Sequence, residues 1–266
     1  MTPRSGEFLG VGFFFCCLAV INYLCIIPQK NRQETMGKKR LVVLTGAGMS
    51  AESGISTFRD SDGLWEHYPV QKVASIEGFR ENPQLVLDFY TARRRDFMGC
   101  KPNAGHYALA ALQEEWEMTI ITQNIDDLHE RAGSRHVIHL HGEILKNCSV
   151  AHPDITYPVD MEHPEIKVGD LAPDGSQLRP FIVWFGEAVP MIAPAAEAVC
   201  QADRFVVIGT SLNVYPAAGL LAYVPRSTPI YLIDPKPVES SYRKDIVFIQ
   251  STASEGVAKL VALLAK

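Results

Sequence analysis

The sequence predicts an α/β fold in which a doubly wound parallel sheet carries a smaller inserted module. Two observations lead there. Short apolar runs without polar alternation recur along the chain, as strands buried on both faces require. Helix-patterned segments fall between them, and each run ends in small or polar residues, where such sheets bind ligands.

The first strand is Leu41 to Leu44, aliphatic and too short for a helix. Gly46 and Gly48 follow it and allow positive φ and close approach by a ligand. Ser50 to Ser53 can then open a helix, whose free N–H groups and dipole favour an anion. A nucleotide pyrophosphate suits such a loop, although an ordinary strand-to-helix turn would use the same glycines. The dinucleotide fingerprint G-x-G-x-x-G would set a glycine where Ala51 stands, so this is not a standard dehydrogenase loop.

Asp60 to Gly63 reads as a turn. Asn82-Pro83 opens a helix, with Asn as N-cap and Pro in the first position, that runs through Met98. Lys101-Pro102-Asn103 breaks the chain before a second helix, Ala104 to Trp116. Met118 to Thr122 is the next strand and delivers "QNIDDLH"; Val137 to Leu140 delivers His141. From Asn147 to Arg179 the chain is polar and proline-bearing, a loop-rich insertion. Strand character returns in "FIVWFGE", then in "FVVIGTS" and "IYLIDPK", and "GVAKLVALLA" is a closing helix. Four strand ends therefore converge on one crevice of a Rossmann-like sheet: residues 46–53, 123–126, His141 and 209–211.

With 266 residues, 47% of them hydrophobic, and a net charge of −5, the chain can bury a full core and has no basic excess for nucleic acid. Its six cysteines are too scattered for a disulfide framework, which favours a reducing compartment. Phe8 to Ile27 is uncharged and long enough to span a bilayer, with basic residues after it that would keep the body cytoplasmic. Alternatively Met36 is the true start, and residues 1–35 are no part of the protein.

Five motifs in order, "GAGMSAESGISTFRD", "TQNIDDLHERAG", "HLHG", "FGE" and "GTSLNVYPA", resemble the sirtuin family from about Leu41 to the C-terminus. The resemblance implies a deacylase domain over 36–266, with a helical insertion at about 63–100 and a small module at about 143–182. It implies NAD as a co-substrate and acylated lysines of other proteins as partners. The acyl oxygen attacks the nicotinamide ribose, and the products are nicotinamide, free lysine and O-acyl-ADP-ribose. Gly46, Ala47, Gly48 and Ser211 would hold the phosphates and adjoining ribose, with Ala51, Gly209 and Thr210 beside them. Phe58, Arg59 and Trp65 would belong to the loop over the nicotinamide ribose. Gln123, Asn124, Ile125 and Asp126 would line the nicotinamide pocket, and Asp234 and Ala253 the adenosine end. His141 would be the general base, with Asn124 its catalytic companion; an imidazole titrates in the range that role needs. Phe185, Gly186, Glu187, Asn213 and Val214 would hold the substrate as an extended strand. A mono-ADP-ribosyltransferase and a non-catalytic NAD sensor are the rival readings.

Tyr90 and Arg93, three apart on one helix, match the Tyr-x-x-Arg pair of sirtuins that remove acidic acyl groups. A guanidinium fork and a phenol suit the terminal carboxylate of succinyl or malonyl, which acetyl lacks. Arg94 and Arg95 read as a solvated face. Most sirtuins also carry two Cys-x-x-Cys pairs for a structural zinc. Here Cys148 stands alone, with His152 and His163 at irregular spacing, so no zinc is expected.

Overall fold

The structure, a computed structural model, describes residues 37–56, 69–238 and 242–265. The apolar stretch Phe8 to Ile27, the turn Asp60 to Gly63, and Phe58, Arg59 and Trp65 lie outside the described residues. After β1 (Arg40–Thr45) come two 3-10 turns, Ala47–Met49 and Ala51–Ser53, then α1 (Val70–Val73), α2 (Ile76–Glu81), α3 (Pro83–Gly99) and α4 (Ala104–Ala111). Next are β2 (Glu117–Thr122), α5 (Leu128–Arg131), β3 (Val137–His139), β4 (Gly142–Ser149), β5 (Thr156–Pro158) and β6 (Leu178–Ile182). The last part holds α6 (Ile192–Cys200), β7 (Arg204–Ile208), a 3-10 segment Ala217–Tyr223, β8 (Ile230–Asp234), β9 (Ile246–Gln250) and α7 (Ala253–Leu264).

The main sheet has the order β3-β2-β1-β7-β8-β9, with every pair parallel. Both faces of its central strands are buried, which explains the unbroken apolar runs. On one face Val42, Leu44, Phe205, Val207 and Leu232 pack with α6 and the Ala217–Tyr223 segment. On the other Leu41, Val43, Ile120, Val206 and Ile208 meet α4 and α7. The order reverses between β1 and β7, and the crevice beyond the strand ends at that point is where such sheets take ligands.

A second sheet, β5-β4-β6, is antiparallel. It packs on α3 through a third core holding Phe79, Leu87, Tyr90, Ile144, Ile182 and Trp184. Strand pairing thus frames the segment expected to be loop-rich, and β6 stops at Ile182 instead of running through "FIVWFGE". Asn82 does cap α3, accepting from Leu85 N at 3.1 Å. Among the described residues no helix is long and apolar enough to cross a membrane.

Candidate active site

At the reversal two glycine loops are stitched together. Gly46 N donates to Ile208 O and Gly48 N to Gly209 O, each at 2.9 Å. A Cβ on Gly48 would lie 2.6 Å from Gly209 Cα, and Gly209 itself sits at φ +62°. Gly46 is extended, at φ −128°, so its need is room and not a left-handed backbone. The glycines thus first let two backbones meet, a reason the sequence reading missed. The helix expected from Ser50 is also absent. Gly54, at φ +87°, ends the second 3-10 turn after three residues, so the loop offers no helix dipole.

β1 and β2 end in register at Thr45 and Thr122, whose hydroxyls bond at 2.9 Å. The turn that follows β2 carries the polar centre. Asn124 N donates to Thr122 Oγ1 at 3.0 Å, and Asn124 Nδ2 donates to Ser50 Oγ at 3.0 Å. Ser50 in turn donates to Asp126 Oδ2 at 2.9 Å. Burial pushes the Asp126 carboxyl up from its ordinary value, against the pull of its bonds from Leu128 N and Ser50.

Two histidines dock on the same turn in different states. His141 Nδ1 lies 2.9 Å from Gln123 O, so it carries the proton and donates, leaving the Nε2 lone pair unused by that bond. Burial pulls His141 below the ordinary imidazole value, so it is neutral at pH 7. His139 bonds Asn124 O at 3.2 Å and Glu130 Oε1 at 2.7 Å. Burial would lower it too, but the bond and charge of Glu130 outweigh that and raise it.

The opposite wall comes from α3 and the chain after β6. Tyr90 is buried against Phe89 and Trp184, and burial pushes its hydroxyl far up, so it stays protonated. Arg93 is only 6% exposed and stacks over Phe97 at 4.8 Å. Among the described residues no carboxylate lies within ion-pair distance of its guanidinium. Arg179, stacked on Trp184 at 3.6 Å, grips Glu187 with two bonds of 2.7 and 2.9 Å. Arg94 is not the solvated residue expected. It is 1% exposed and donates to Ile144 O, Pro164 O and Asn147 Oδ1, pinning α3 to the small sheet. Arg95 does face solvent, paired with Glu165.

Between these two walls lies a cavity of about 720 Å³. Of the described residues named from the sequence, all but Asn213 line it: the two glycine loops, the 123–126 turn, His141, Tyr90, Arg93, the 185–187 segment, Val214, Asp234 and Ala253. The strand edge expected at Phe185 to Glu187 is narrower than supposed. Phe185 already pairs with Ala74 O and Ile76 N, and Glu187 N with Trp184 O.

The Sir2 family profile matches residues 46–216. The chain belongs to the Sir2 family. An NAD-dependent protein deacylase of Bacteroides thetaiotaomicron is 58% identical over 229 residues, spanning 85% of this chain and 98% of its own. One of the same description from Helicobacter pylori is 49% identical, with 85% and 97% covered. Among solved structures, a Sir2 homologue–NAD complex aligns at TM-score 0.75 and 35% identity over 93% of each chain. A Sir2 bound to acetylated peptide aligns at TM-score 0.70 and 31% identity, covering 86% of this chain and 95% of that one.

A four-thiolate zinc site does not fit this Sir2 chain. Cys148 is the single cysteine of the small module, where such a site needs four; its thiol points at Pro180 O, 3.8 Å away. His152 is exposed, and His163 is exposed beside Asp160. Among the described residues no three His, Cys, Asp or Glu side chains gather as a ligand set. Sequence reading missed Ser50, Arg179 and Trp184 as site residues. Ser50, a buried serine inside the first Sir2 motif, carried a signal; the other two had none without the tertiary contacts.

Proposed function

We propose that the chain is an NAD-dependent protein-lysine deacylase that favours acidic acyl groups, succinyl or malonyl, over acetyl. The relatives of that description and the Sir2–peptide complex support the reaction class. Arg93 carries the acyl preference. A guanidinium buried at the cavity wall, with no carboxylate among the described residues at ion-pair distance, is costly to leave without a partner. The terminal carboxylate of a succinyl chain answers it with charge-assisted, two-pronged bonding, and the protonated Tyr90 hydroxyl adds a donor.

Bound NAD supplies the ribose that receives the acyl group. Ala47 and Ser211 hold its phosphates, Gly46 and Gly48 leave the room beside them, and Asp234 accepts a hydroxyl of the adenosine ribose. Gln123, Asn124 and Asp126 enclose the nicotinamide end, with Asn124 fixed by Ser50. His141 Nε2 takes the proton of a ribose hydroxyl, for which its neutral, Nδ1-protonated form is the correct one. Gly186 is the member of the 185–187 segment whose backbone remains for an extended substrate. A cytoplasmic body, tethered to the cytoplasmic face if residues 8–27 form an anchor, fits this use of NAD and protein substrates.

The test is incubation with NAD and matched acetyl-lysine and succinyl-lysine peptides, followed by mass spectrometry. Succinyl-ADP-ribose in excess over acetyl-ADP-ribose is expected. Acetyl product alone would remove the acidic preference, and ADP-ribosylated protein with no deacylated peptide would replace the reaction.

A further inference from the structure

Behind the cavity lie four buried side chains, Thr45, Thr122, His129 and His106, whose hydrogen bonds make a line with one gap, between the two rings. Its two ends are backbone donors, whose direction is not in question. At one end Asn103 N donates to His106 Nδ1 at 3.3 Å, so His106 carries its proton on Nε2. At the other, Asn124 N donates to Thr122 Oγ1 at 3.0 Å. Between them Thr45 Oγ1 lies 2.9 Å from Thr122 Oγ1 and 3.1 Å from His129 Nε2. If Thr45 donates to Thr122 it accepts from His129, which is then protonated on Nε2 and bare on Nδ1; if Thr122 donates to Thr45, the tautomer is the reverse.

Two ring atoms are left over, His106 Nε2 and His129 Nδ1, both buried, in rings whose centroids are 4.8 Å apart. In the first arrangement one is a donor and the other an acceptor; the second would bury two donors, His106 Nε2–H and His129 Nδ1–H, and the first is the one we adopt. A bridge between the two rings would therefore need no change of protonation. Burial holds His106 down near 4 and His129 well below the ordinary imidazole range, so both stay neutral as the line requires.

The far end of the line fixes the Gln123–Asn124 turn. From that turn Asn124 reaches Ser50, Gln123 O holds His141, and Asn124 O holds His139. We propose that His129, backed by His106, is a positioning residue for the reaction. Its Nε2–H orients Thr45, Thr45 orients Thr122, and Thr122 sets the turn that aims Asn124 and fixes the tautomer of His141. The kinetic half of this proposal rests on the deacylase reading; the tautomers do not.

The test joins ring nitrogen NMR with kinetics on the full chain. Long-range proton–nitrogen spectra of histidine-labelled protein, assigned by replacing one histidine at a time, should show His106 and His129 protonated on Nε2 and His141 on Nδ1. His129 protonated on Nδ1 would overturn the line. Thr45→Val removes one hydroxyl at constant shape, His129→Leu removes the ring donor, and His129→Gln returns a donor near the position of Nε2. Thr45→Val and His129→Leu should each lose about tenfold in kcat, with KM for NAD changed by less than about twofold. Each should also turn the His141 tautomer into a mixture. His129→Gln should recover most of the rate. A Thr45→Val enzyme with normal kcat, or a His129→Gln enzyme no better than His129→Leu, would overturn the positioning role. A wild-type chain that transfers no acyl group from lysine to ADP-ribose would remove the deacylase reading and the positioning role with it, while the spectra would still decide the line.

Discussion

The Nδ1–H of His141 donates to the carbonyl oxygen of Gln123 at 2.9 Å, and that single bond settles which nitrogen can act as a base. It also ties the base to the turn bearing Asn124. Replacing His141 by Tyr should lower O-acyl-ADP-ribose formation by about 10²- to 10⁴-fold, the range of a positioned acid–base group. A variant that forms the product at the wild-type rate would take His141 out of the chemistry.

The two docked histidines should titrate on opposite sides of free imidazole, about 6.5. Burial lowers His141, while Glu130 raises His139 against burial. The base must be neutral, so the acid limb of kcat/KM should have its midpoint below about 6.5. His139, raised in the fold, adds stability below its unfolded value that is lost as pH climbs through its folded one. NMR titration that found His141 above His139 would contradict both statements.

Arg93→Met should cost desuccinylation at least about 30-fold in kcat/KM, the loss of one partner from a buried charge pair. Deacetylation by the same variant should change only a few-fold. Equal losses for the two peptides would show that Arg93 holds the wall together and does not read the carboxylate.

Gly48→Ala should destabilise the fold by about 1–3 kcal/mol, because the new methyl meets the Gly209 backbone at 2.6 Å and neither loop can yield. NAD affinity should fall with it. Urea unfolding and NAD titration measure the two, and an unchanged midpoint would deny the backbone contact.

Arg94→Met should lose roughly 3 kcal/mol, since its bonds to Ile144 O, Pro164 O and Asn147 would go unanswered in a dry interior. Arg95→Ala should stay within about 0.5 kcal/mol. Thermal unfolding of the pair separates them.

The contrast between those arginines marks where sequence reading stops. Strand ends were legible because a strand buried on both faces leaves a continuous apolar run with an abrupt polar end, as at Thr45 and Thr122. Asn82-Pro83 was legible because capping is local chemistry. Three consecutive arginines on α3 look alike until the small sheet is packed against one of them. The α6 helix, rich in alanine and with Pro194 in its first turn, and the β9 strand, with Val247 and Phe248 exposed, gave too little periodicity to read. The backbone contact of Gly48 with Gly209 joins positions far apart in the chain, and no local pattern announces it.

That contact bears on how the protein is made. β2 follows β1 in the chain, whereas β7, the partner of the other edge of β1, is synthesised only after the small sheet and α6. A nascent chain that had formed β1 before β7 was made would present Leu41 to Leu44 as an open, apolar edge, the kind of surface that recruits foreign strands. In the folded protein β7 covers that edge, and the glycine that follows it, Gly209, lies on Gly48. A chaperone that shields β1 during elongation would therefore protect the nucleotide crevice before either of its walls is complete.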